Sequence, residues 1–312
     1  MAITAPMTTS GLSGFLTPAE AAPIFDDARR VSAFQQIIRR VPLGINGEAV
    51  PVITAKPVAN WVGEGEKKPA TQMGLGKLTM DPKKLAAIAV LSAEVVRANP
   101  GNINGLIRPY LAEAFGVAFD YAVGYGLGGD GTGTGPFDAS LSDATKSVEI
   151  GTTTQANGGI HGDLVAALSL MVNDDKRLTG WALDDVLEPK FWGAVDTSGR
   201  PLYVDLPLDQ AAQVLQTDGM SVARPGRLLN RPSAMGDGVG NGTTVGFFGD
   251  FTKAAWGSVG GISWRVSTET AVTINGVLTS LWENNLVAVL AEAEYGFVMQ
   301  DEAYFGKLVD AA

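Results

Sequence analysis

The sequence predicts an α+β fold that combines one long helix, a series of short strands and an extended arm. An apolar stripe at helical spacing runs from about residue 102 to 126. Short strand-like segments separated by Pro and Gly occupy much of the chain after this stripe. Between residues 48 and 92, strand-like ends enclose a polar middle that has almost no apolar pattern.

The N-terminal 30 residues are small, polar and interrupted by Pro, which predicts an extended arm. One short helix signal lies within them, Thr17-Pro18-Ala19-Glu20, which combines an N-cap, Pro at the first helical position and Glu at the third. Ser32 is predicted to cap a second helix, Ala33 to Arg40, with Phe34, Ile37 and Ile38 at helical spacing.

The segment from Trp61 to Ser92 begins and ends like a β-strand, at Trp61-Val62 and at Leu85 to Ser92. Val50-Pro51-Val52-Ile53 is expected to open the first leg of the same hairpin. The middle is rich in Gly, Lys, Glu, Pro, Thr and Gln and has nothing to bury. An isolated two-stranded hairpin is marginal in water. We therefore expect the arm to lie on another copy of the chain.

The long helix is the clearest element of the sequence. Pro109 is expected either to kink it or to mark its true start. The Gly-rich run Gly128 to Pro136 that follows is interpreted as a tight turn. A phosphate loop is disfavoured, because no Lys-Ser or Lys-Thr follows and the run comes after a helix. The predicted apolar stripe comprises Ile103, Leu106, Ile107, Tyr110, Leu111, Ala114, Val117, Ala118, Tyr121, Ala122 and Tyr125.

Residues from about 150 to 250 are interpreted as a second α/β domain, after which the chain returns to complete the first. The predicted elements are helices at Asp163 to Asn173 and Val186 to Val195, a loop at Asp196 to Arg200, and strands at Trp181 to Asp184, Arg227 to Asn230, Val245 to Gly249, Ile262 to Ser267 and Asn285 to Ala293.

The composition limits the classes of protein to which this chain can belong. The chain has 312 residues, 46% of them hydrophobic, with no run of about 18 apolar residues and no secretory signal, so a soluble protein that is intracellular where it is made is expected. Cys is absent and His161 is the only histidine, which leaves no cofactor or metal site to predict and disfavours a soluble α/β hydrolytic or nucleotide-binding enzyme. The net charge of -10 opposes tight binding to a phosphate backbone, although an acidic protein can enclose nucleic acid.

The order of these features resembles the major capsid protein of tailed double-stranded DNA bacteriophages of the Hong Kong 97 type. The motifs that carry the resemblance are Trp61 to Pro69, Pro82 to Ser92, the long helix ending in Gly129-Asp-Gly-Thr-Gly133, Asp196 to Arg200, Phe248 to Lys253 and Glu302 to Phe305. The resemblance implies an N-terminal arm (1–30), an extended loop (48–92), an axial domain (150–255), and a peripheral domain with the spine helix (31–47, 93–149 and 256–312).

The same resemblance implies that hexamers and pentamers of the chain close an icosahedral shell around packaged double-stranded DNA, in a virion assembled in the cytoplasm of a bacterial host. The implied partners are a scaffolding protein, the portal and a decoration protein, with no membrane involved. Because the chain starts only a few residues before the arm, a separate scaffold or a short removed peptide is expected. An encapsulin-type nanocompartment shell is the nearest alternative.

The founding member of that family joins its subunits by a Lys–Asn isopeptide bond assisted by a Glu. Alignment on the Lys-Pro step places Lys68 at the lysine position, with Lys67 and Lys77 as alternatives. Alignment on the C-terminal strand places Asn285 and Glu292 at the other two positions, with Asn284 and Glu294 as alternatives. The apolar setting of the carboxylate is expected to come from Leu286, Val287, Val289 and Leu290.

Strand geometry constrains this hypothetical crosslink. Seven steps at about 3.3 Å would separate Asn285 and Glu292 of one strand by roughly 23 Å, so the two residues would serve different bonds and each bond would need three subunits. Further contacts between subunits are expected from Trp61, Glu64, Lys67, Lys77, Arg29 and Arg30.

Overall fold

The computed structural model describes residues 32–98, 103–154, 158–193, 203–205, 224–236 and 238–311. The helices within these ranges are α1 (Ala33–Ile37), α2 (Ala93–Ala98), α3 (Ile103–Tyr125), α4 (Ile160–Asn173) and α5 (Glu188–Gly193). The strands are β1 (Arg39–Arg40), β2 (Glu48–Ala55), β3 (Gly74–Met80), β4 (Lys83–Ser92), β5 (Lys146–Ile150), β6 (Gly180–Leu183), β7 (Tyr203–Asp205), β8 (Arg224–Leu228), β9 (Arg231–Met235), β10 (Thr244–Gly249), β11 (Ala254–Ser258), β12 (Ser263–Ser267), β13 (Ala271–Ile274), β14 (Val277–Ser280), β15 (Leu286–Met299) and β16 (Phe305–Asp310).

The 14-residue strand β15 organises a five-stranded sheet. One edge of β15 pairs antiparallel with β4 over ten residues, from Leu286 opposite Ser92 to Tyr295 opposite Lys83. The other edge pairs first with β12 and then with β11, which in turn pairs with β1. The sheet therefore pairs β4, which follows the hairpin arm in the chain, with β15 from the C-terminal part of the chain.

Helix α3 packs on this sheet through an aromatic cluster. The ring of Phe119 lies 5.6 Å from that of Trp256 and 5.5 Å from that of Tyr295, in edge-to-face arrangements that aromatic quadrupoles favour. Helix α1 joins the same core, with Phe34 fully buried and Ser32 as its N-cap, the Ser32 side chain accepting a hydrogen bond from the Gln35 N–H.

A second core lies under a seven-stranded sheet with the order β5-β16-β10-β6-β9-β8-β7. Strand β6 is buried along its whole length, as the run Trp181 to Asp184 predicts, and α4 packs Leu164, Ala167 and Met171 into the same core. Two strands of this sheet, β5 and β16, lie wholly or mainly outside residues 150–255.

The structure corrects the predicted legs of the arm. Trp61-Val62 is not a strand, and Lys83–Ser92 does not pair with it. The legs are β2 and β3, paired from Glu48 opposite Met80 to Ala55 opposite Gly74, and residues 56–73 have no regular structure apart from a turn at Glu64-Gly65. The prediction failed because β4 buries more apolar surface against β15 than a polar hairpin leg offers.

Helix predictions were right in kind and imperfect in extent. Helix α3 begins six residues before Pro109, so the alternative in which Pro109 marks its start was wrong. Its buried face includes Phe115, Phe119 and Val123, which the predicted stripe omitted, while Tyr110 is exposed. Helix α1 ends at Ile37 rather than Arg40, and α5 is preceded by a 3-10 turn. The predicted helix at Thr17 and the loop at Asp196 to Arg200 lie outside the described residues.

Candidate functional site

The arm is anchored at its root and exposed along its length. Met80, the last residue of β3, is fully buried. A Cβ added at Gly296 would lie 2.7 Å from Met80 Cγ, and one added at Gly257 would lie 3.0 Å from its Cε. These two glycines are directly opposite each other in the β11–β15 pair, so the absence of side chains at both lets the arm root lie close to the sheet.

The tip of the arm holds the predicted lysines and an unusually exposed tryptophan. Seven residues of β3 carry the tip about 20 Å beyond the root. Trp61 is fully exposed, and Lys67 and Lys68 are exposed beside it. Lys68, Trp61 and Pro69 line an open cleft of about 510 Å³. The tip therefore exposes an aromatic ring beside charged groups of both signs.

The other predicted contact residues are dispersed along the arm. Glu64 is exposed in the turn at the tip, where Glu66 accepts a hydrogen bond of 3.1 Å from the Gly63 N–H. Lys77 is exposed on β3, opposite Pro51 of β2. Arg29 and Arg30 lie outside the described residues.

Asn285 lies in a turn that immediately precedes β15. Its backbone is left-handed, with φ of +53°, a conformation that Asn tolerates better than most residues. Its backbone carbonyl oxygen accepts a hydrogen bond of 2.9 Å from the Ala93 N–H at the start of α2. Its side-chain Nδ2 donates a hydrogen bond of 2.9 Å to Glu94 Oε1. Asn285 and Glu94 are both exposed, so a neighbouring molecule has access to the carboxamide.

Neither Glu94 nor α2 was predicted from the sequence. The available signal was Ser92, whose side chain accepts a hydrogen bond from the Val95 N–H and caps α2. Placing Glu94 beside Asn285 also requires the register of β4 against β15, because the two residues are 191 positions apart in the chain.

The environment of Glu292 differs from the predicted apolar setting. Lys84 Nζ lies 2.5 Å from Glu292 Oε1, and the Glu292 side chain is 18% exposed. The hydrogen bond from Lys84 holds the pKa of the Glu292 carboxyl below its usual value, with its charge and that of Arg265 adding to the effect. A carboxylate held in this way is a poor proton acceptor, so the predicted setting was wrong for the isolated subunit.

Glu292 is also distant from Asn285 in the same subunit. The six steps from Leu286 to Glu292 along β15 span about 20 Å. The alternatives are no better placed: Asn284 Nδ2 donates a hydrogen bond of 2.8 Å to the Ser280 carbonyl, and Glu294 lies two residues farther along β15. Glu292 and Asn285 of one subunit therefore cannot serve the same bond.

The described part of the chain contains neither a metal-binding cluster nor a membrane-spanning helix. No group of three or more His, Asp or Glu side chains there is arranged to hold a metal ion. Among the helices described, none is both long enough and apolar enough to cross a membrane.

Comparison with known proteins identifies the family. The model of the phage capsid family matches residues 13–310, almost the whole chain. The chain belongs to the phage capsid family. The probable major capsid protein gp17 of Mycobacterium phage D29 is 39% identical to this chain over 301 residues. The alignment covers 95% of this chain and 90% of that protein.

Solved structures show the same fold for this capsid protein. A chain from Gordonia phage Cozz aligns over 97% of this chain and 94% of its own length, with a TM-score of 0.71 at 20% identity. A chain from the capsid of an empty GTA particle aligns over 97% of this chain and 98% of its own, with a TM-score of 0.64 at 16% identity. The predicted α+β Hong Kong 97-type fold and the structural, non-enzymatic class of protein are confirmed, and the encapsulin and soluble-enzyme alternatives are not supported.

Proposed function

We propose that this chain is the major capsid protein of a tailed phage and assembles as hexamers and pentamers into the icosahedral shell around double-stranded DNA. The identity to the D29 protein over 95% of the chain supports this role. The net charge of -10 fits a wall that encloses a polyanion without adhering to it. We propose the domain boundaries implied by the resemblance as the working division of the subunit, with β5 and β16 completing the sheet of the axial domain.

The observation that carries the proposal is the exposed arm. Two strands without a core are marginal alone, and this pair continues into a tip on which Trp61 is fully exposed. Ile53 and Leu75 on its legs are 52% and 69% exposed. Covering these side chains with a neighbouring subunit would stabilise the contact by about 25 cal/mol for each Å² of apolar surface removed from water. The arm is thus a strap between copies of the chain.

We further propose that Lys68 of the strap forms an isopeptide bond with Asn285 of another subunit. Lys68 is exposed at the tip, and the Asn285 carboxamide is exposed at the far end of the β4–β15 pair. Burial at the assembled interface would disfavour the charged ammonium, and a neutral Nζ can attack the carboxamide carbon. The C–Nδ2 bond breaks and ammonia leaves, which balances the reaction without an oxidant.

We propose the remaining partners by analogy with the family. A scaffolding protein would set the curvature of the shell, a portal would occupy one vertex, and a decoration protein would bind the outer surface. Assembly would take place in the cytoplasm of the bacterial host, and the finished protein would reside in the virion.

The test is to express the chain with its scaffold in a bacterial host and to examine the particles by electron microscopy. Expression with the scaffold should give closed shells, and particles of the complete phage should contain DNA inside the same shell. A protein that remains monomeric at high concentration would contradict the role. Shells boiled in SDS should give a ladder above the 32.5 kDa monomer. The ladder should disappear in K68R and persist in K67R and K77R, which are the matched controls.

A further inference from the structure

Asn285 is held at the atom that would leave in the proposed crosslink. The hydrogen bond of 2.9 Å to Glu94 Oε1 comes from Nδ2, the amide nitrogen, rather than from a backbone group. The Ala93 N–H bond to the Asn285 carbonyl fixes the same residue from the same helix turn. The start of α2 therefore holds the backbone of Asn285 through Ala93 and its carboxamide through Glu94 before any partner arrives.

A carboxylate in this position suits both halves of an acyl transfer to lysine. The attacking Nζ must lose a proton and the leaving Nδ2 must gain one. A single carboxylate has two oxygens, so one can hold the leaving nitrogen while the other receives the proton of the incoming amine. Glu292 offers neither contact to this Asn285, because it lies about 20 Å farther along β15 and pairs with Lys84 of β4.

We propose that Glu94 is the catalytic carboxylate of the crosslink and that it acts on Asn285 of its own subunit. This inference rests on the proposed Lys68–Asn285 bond. In the reaction, Lys68 Nζ bonds to the Asn285 side-chain carbon, and one Nζ proton passes through the Glu94 carboxyl group to Nδ2. The C–Nδ2 bond then breaks, NH3 leaves, and the Glu94 carboxylate is restored.

The assignment changes the number of subunits that each bond needs. Glu94 and Asn285 are preassembled in one chain, so a site needs only that chain and the neighbour that supplies Lys68. The surroundings of Asn285 carry groups that can pair with the lysines of the arm tip. Glu94 and Glu283 are exposed near Asn285, and Trp282 beside them is 73% exposed, whereas the tip carries Lys67 and Lys68 next to Glu64 and Glu66.

The first experiment compares E94Q with wild type and E292Q in assembled shells. Gln keeps an oxygen that can accept the Nδ2 hydrogen bond but cannot carry the proton, so a purely structural role of Glu94 would survive the change. We expect E94Q shells of normal appearance in electron micrographs whose covalent ladder forms at least about 100-fold more slowly. E292Q should form its ladder at the wild-type rate, and E94D should restore part of the lost rate.

The second experiment tests whether Glu94 must lie in the same subunit as its Asn285. The variant N285G removes the carboxamide while keeping a residue that accepts the left-handed backbone. Co-assembled N285G and K68R subunits should form covalent dimers, which shows that mixed shells contain productive contacts. Co-assembled N285G and E94Q subunits should crosslink no faster than E94Q shells alone, because no chain in the mixture carries both Glu94 and Asn285.

The outcomes separate the two proposals. Wild-type shells that give only monomer after boiling would overturn the crosslink and the role of Glu94 with it. Wild-type shells that crosslink together with an E94Q ladder of normal rate would overturn only the Glu94 assignment. Covalent dimers that form faster in the N285G and E94Q mixture than in E94Q shells would show that Glu94 acts across subunits, which contradicts the same-subunit geometry.

Discussion

Asp120 on helix α3 gives the sharpest prediction about stability. Its side chain is 4% exposed, and Oδ1 accepts a hydrogen bond of 2.5 Å from the Ser32 hydroxyl at the N-cap of α1. Burial raises the pKa of the Asp120 carboxyl to about 7, against the lowering effect of hydrogen bonds from Ser32 and from the N–H groups of Ala33 and Phe34. The carboxyl thus links the spine helix to the first helix after the N-terminal residues.

The sign of the effect follows from proton linkage. Between pH 3.8, the usual pKa, and about 7, the folded protein holds a proton on Asp120 that the unfolded chain has lost. The free energy of unfolding therefore falls as the pH rises, by about 1.4 kcal/mol per unit, and levels off above pH 7. Over the whole window the contribution of Asp120 is about 4 kcal/mol, and from pH 5 to pH 8 it is about 3 kcal/mol.

The perturbation is D120N, which keeps the size of the side chain and removes the titration. Urea unfolding of unassembled subunits at pH 5 and pH 8 gives the difference in free energy for each protein. The wild-type protein should lose about 3 kcal/mol more than D120N over this interval, because the contributions of other groups cancel in the comparison. An identical pH dependence in the two proteins would refute the reasoning.

A control with the opposite sign is available at Asp174. The hydrogen bond from Lys146 lowers the pKa of the Asp174 carboxyl, so its contribution is present above the usual pKa and is lost as the pH falls. D174N should therefore change the stability profile only on the acid side, below about pH 4, and should leave the difference between pH 5 and pH 8 as in the wild type.

Three further predictions concern assembly and packing. F119A should lower the free energy of unfolding of the subunit by about 3–5 kcal/mol in urea, because it empties the core between α3 and Trp256, and a loss under 1 kcal/mol would contradict that placement. W61A should leave the subunit's unfolding unchanged but raise the protein concentration needed for shell assembly, measured by light scattering, and an unchanged threshold would show that Trp61 is not covered. G296A should hinder assembly, because the added methyl group would displace Met80 at the arm root. Adding M80A to G296A should relieve this effect, because it removes the side chain that the methyl group meets.

Sequence reasoning succeeded where a local pattern decides the structure. The Ser32 N-cap, the buried strand at Trp181 and the turn after Gly128 each depend on neighbouring residues, and the structure contains all three. In that turn the Gly128 N–H donates to the Thr132 carbonyl, and the Thr132 N–H donates to Asp130 Oδ1. The resemblance to a known family supplied the architecture that local patterns cannot give.

Sequence reasoning failed where pairing over long distances decides. Leu85 to Ser92 has the composition of a strand, but composition does not say whether its partner is Trp61 or a strand about 200 residues away. The face of α3 was misjudged for a related reason. Its C-terminal half is surrounded by two elements at once, α1 and the five-stranded sheet, so Phe115 and Phe119 are buried outside the single predicted stripe.

The same distinction explains the choice of carboxylate at Asn285. Along the sequence, Glu292 is the conspicuous acid, because the predicted strand from Asn285 to Ala293 contains it and the family resemblance places it at the carboxylate position. In the folded chain, strand extension carries Glu292 about 20 Å away, whereas the pairing of Leu286 with Ser92 brings Glu94 within hydrogen-bond distance. Because the pairing of β4 with β15 brings Glu94 to Asn285, this part of the site is in place as soon as the subunit folds. Assembly then has to deliver only the lysine, so the timing of the bond would depend on when the arm reaches its neighbour.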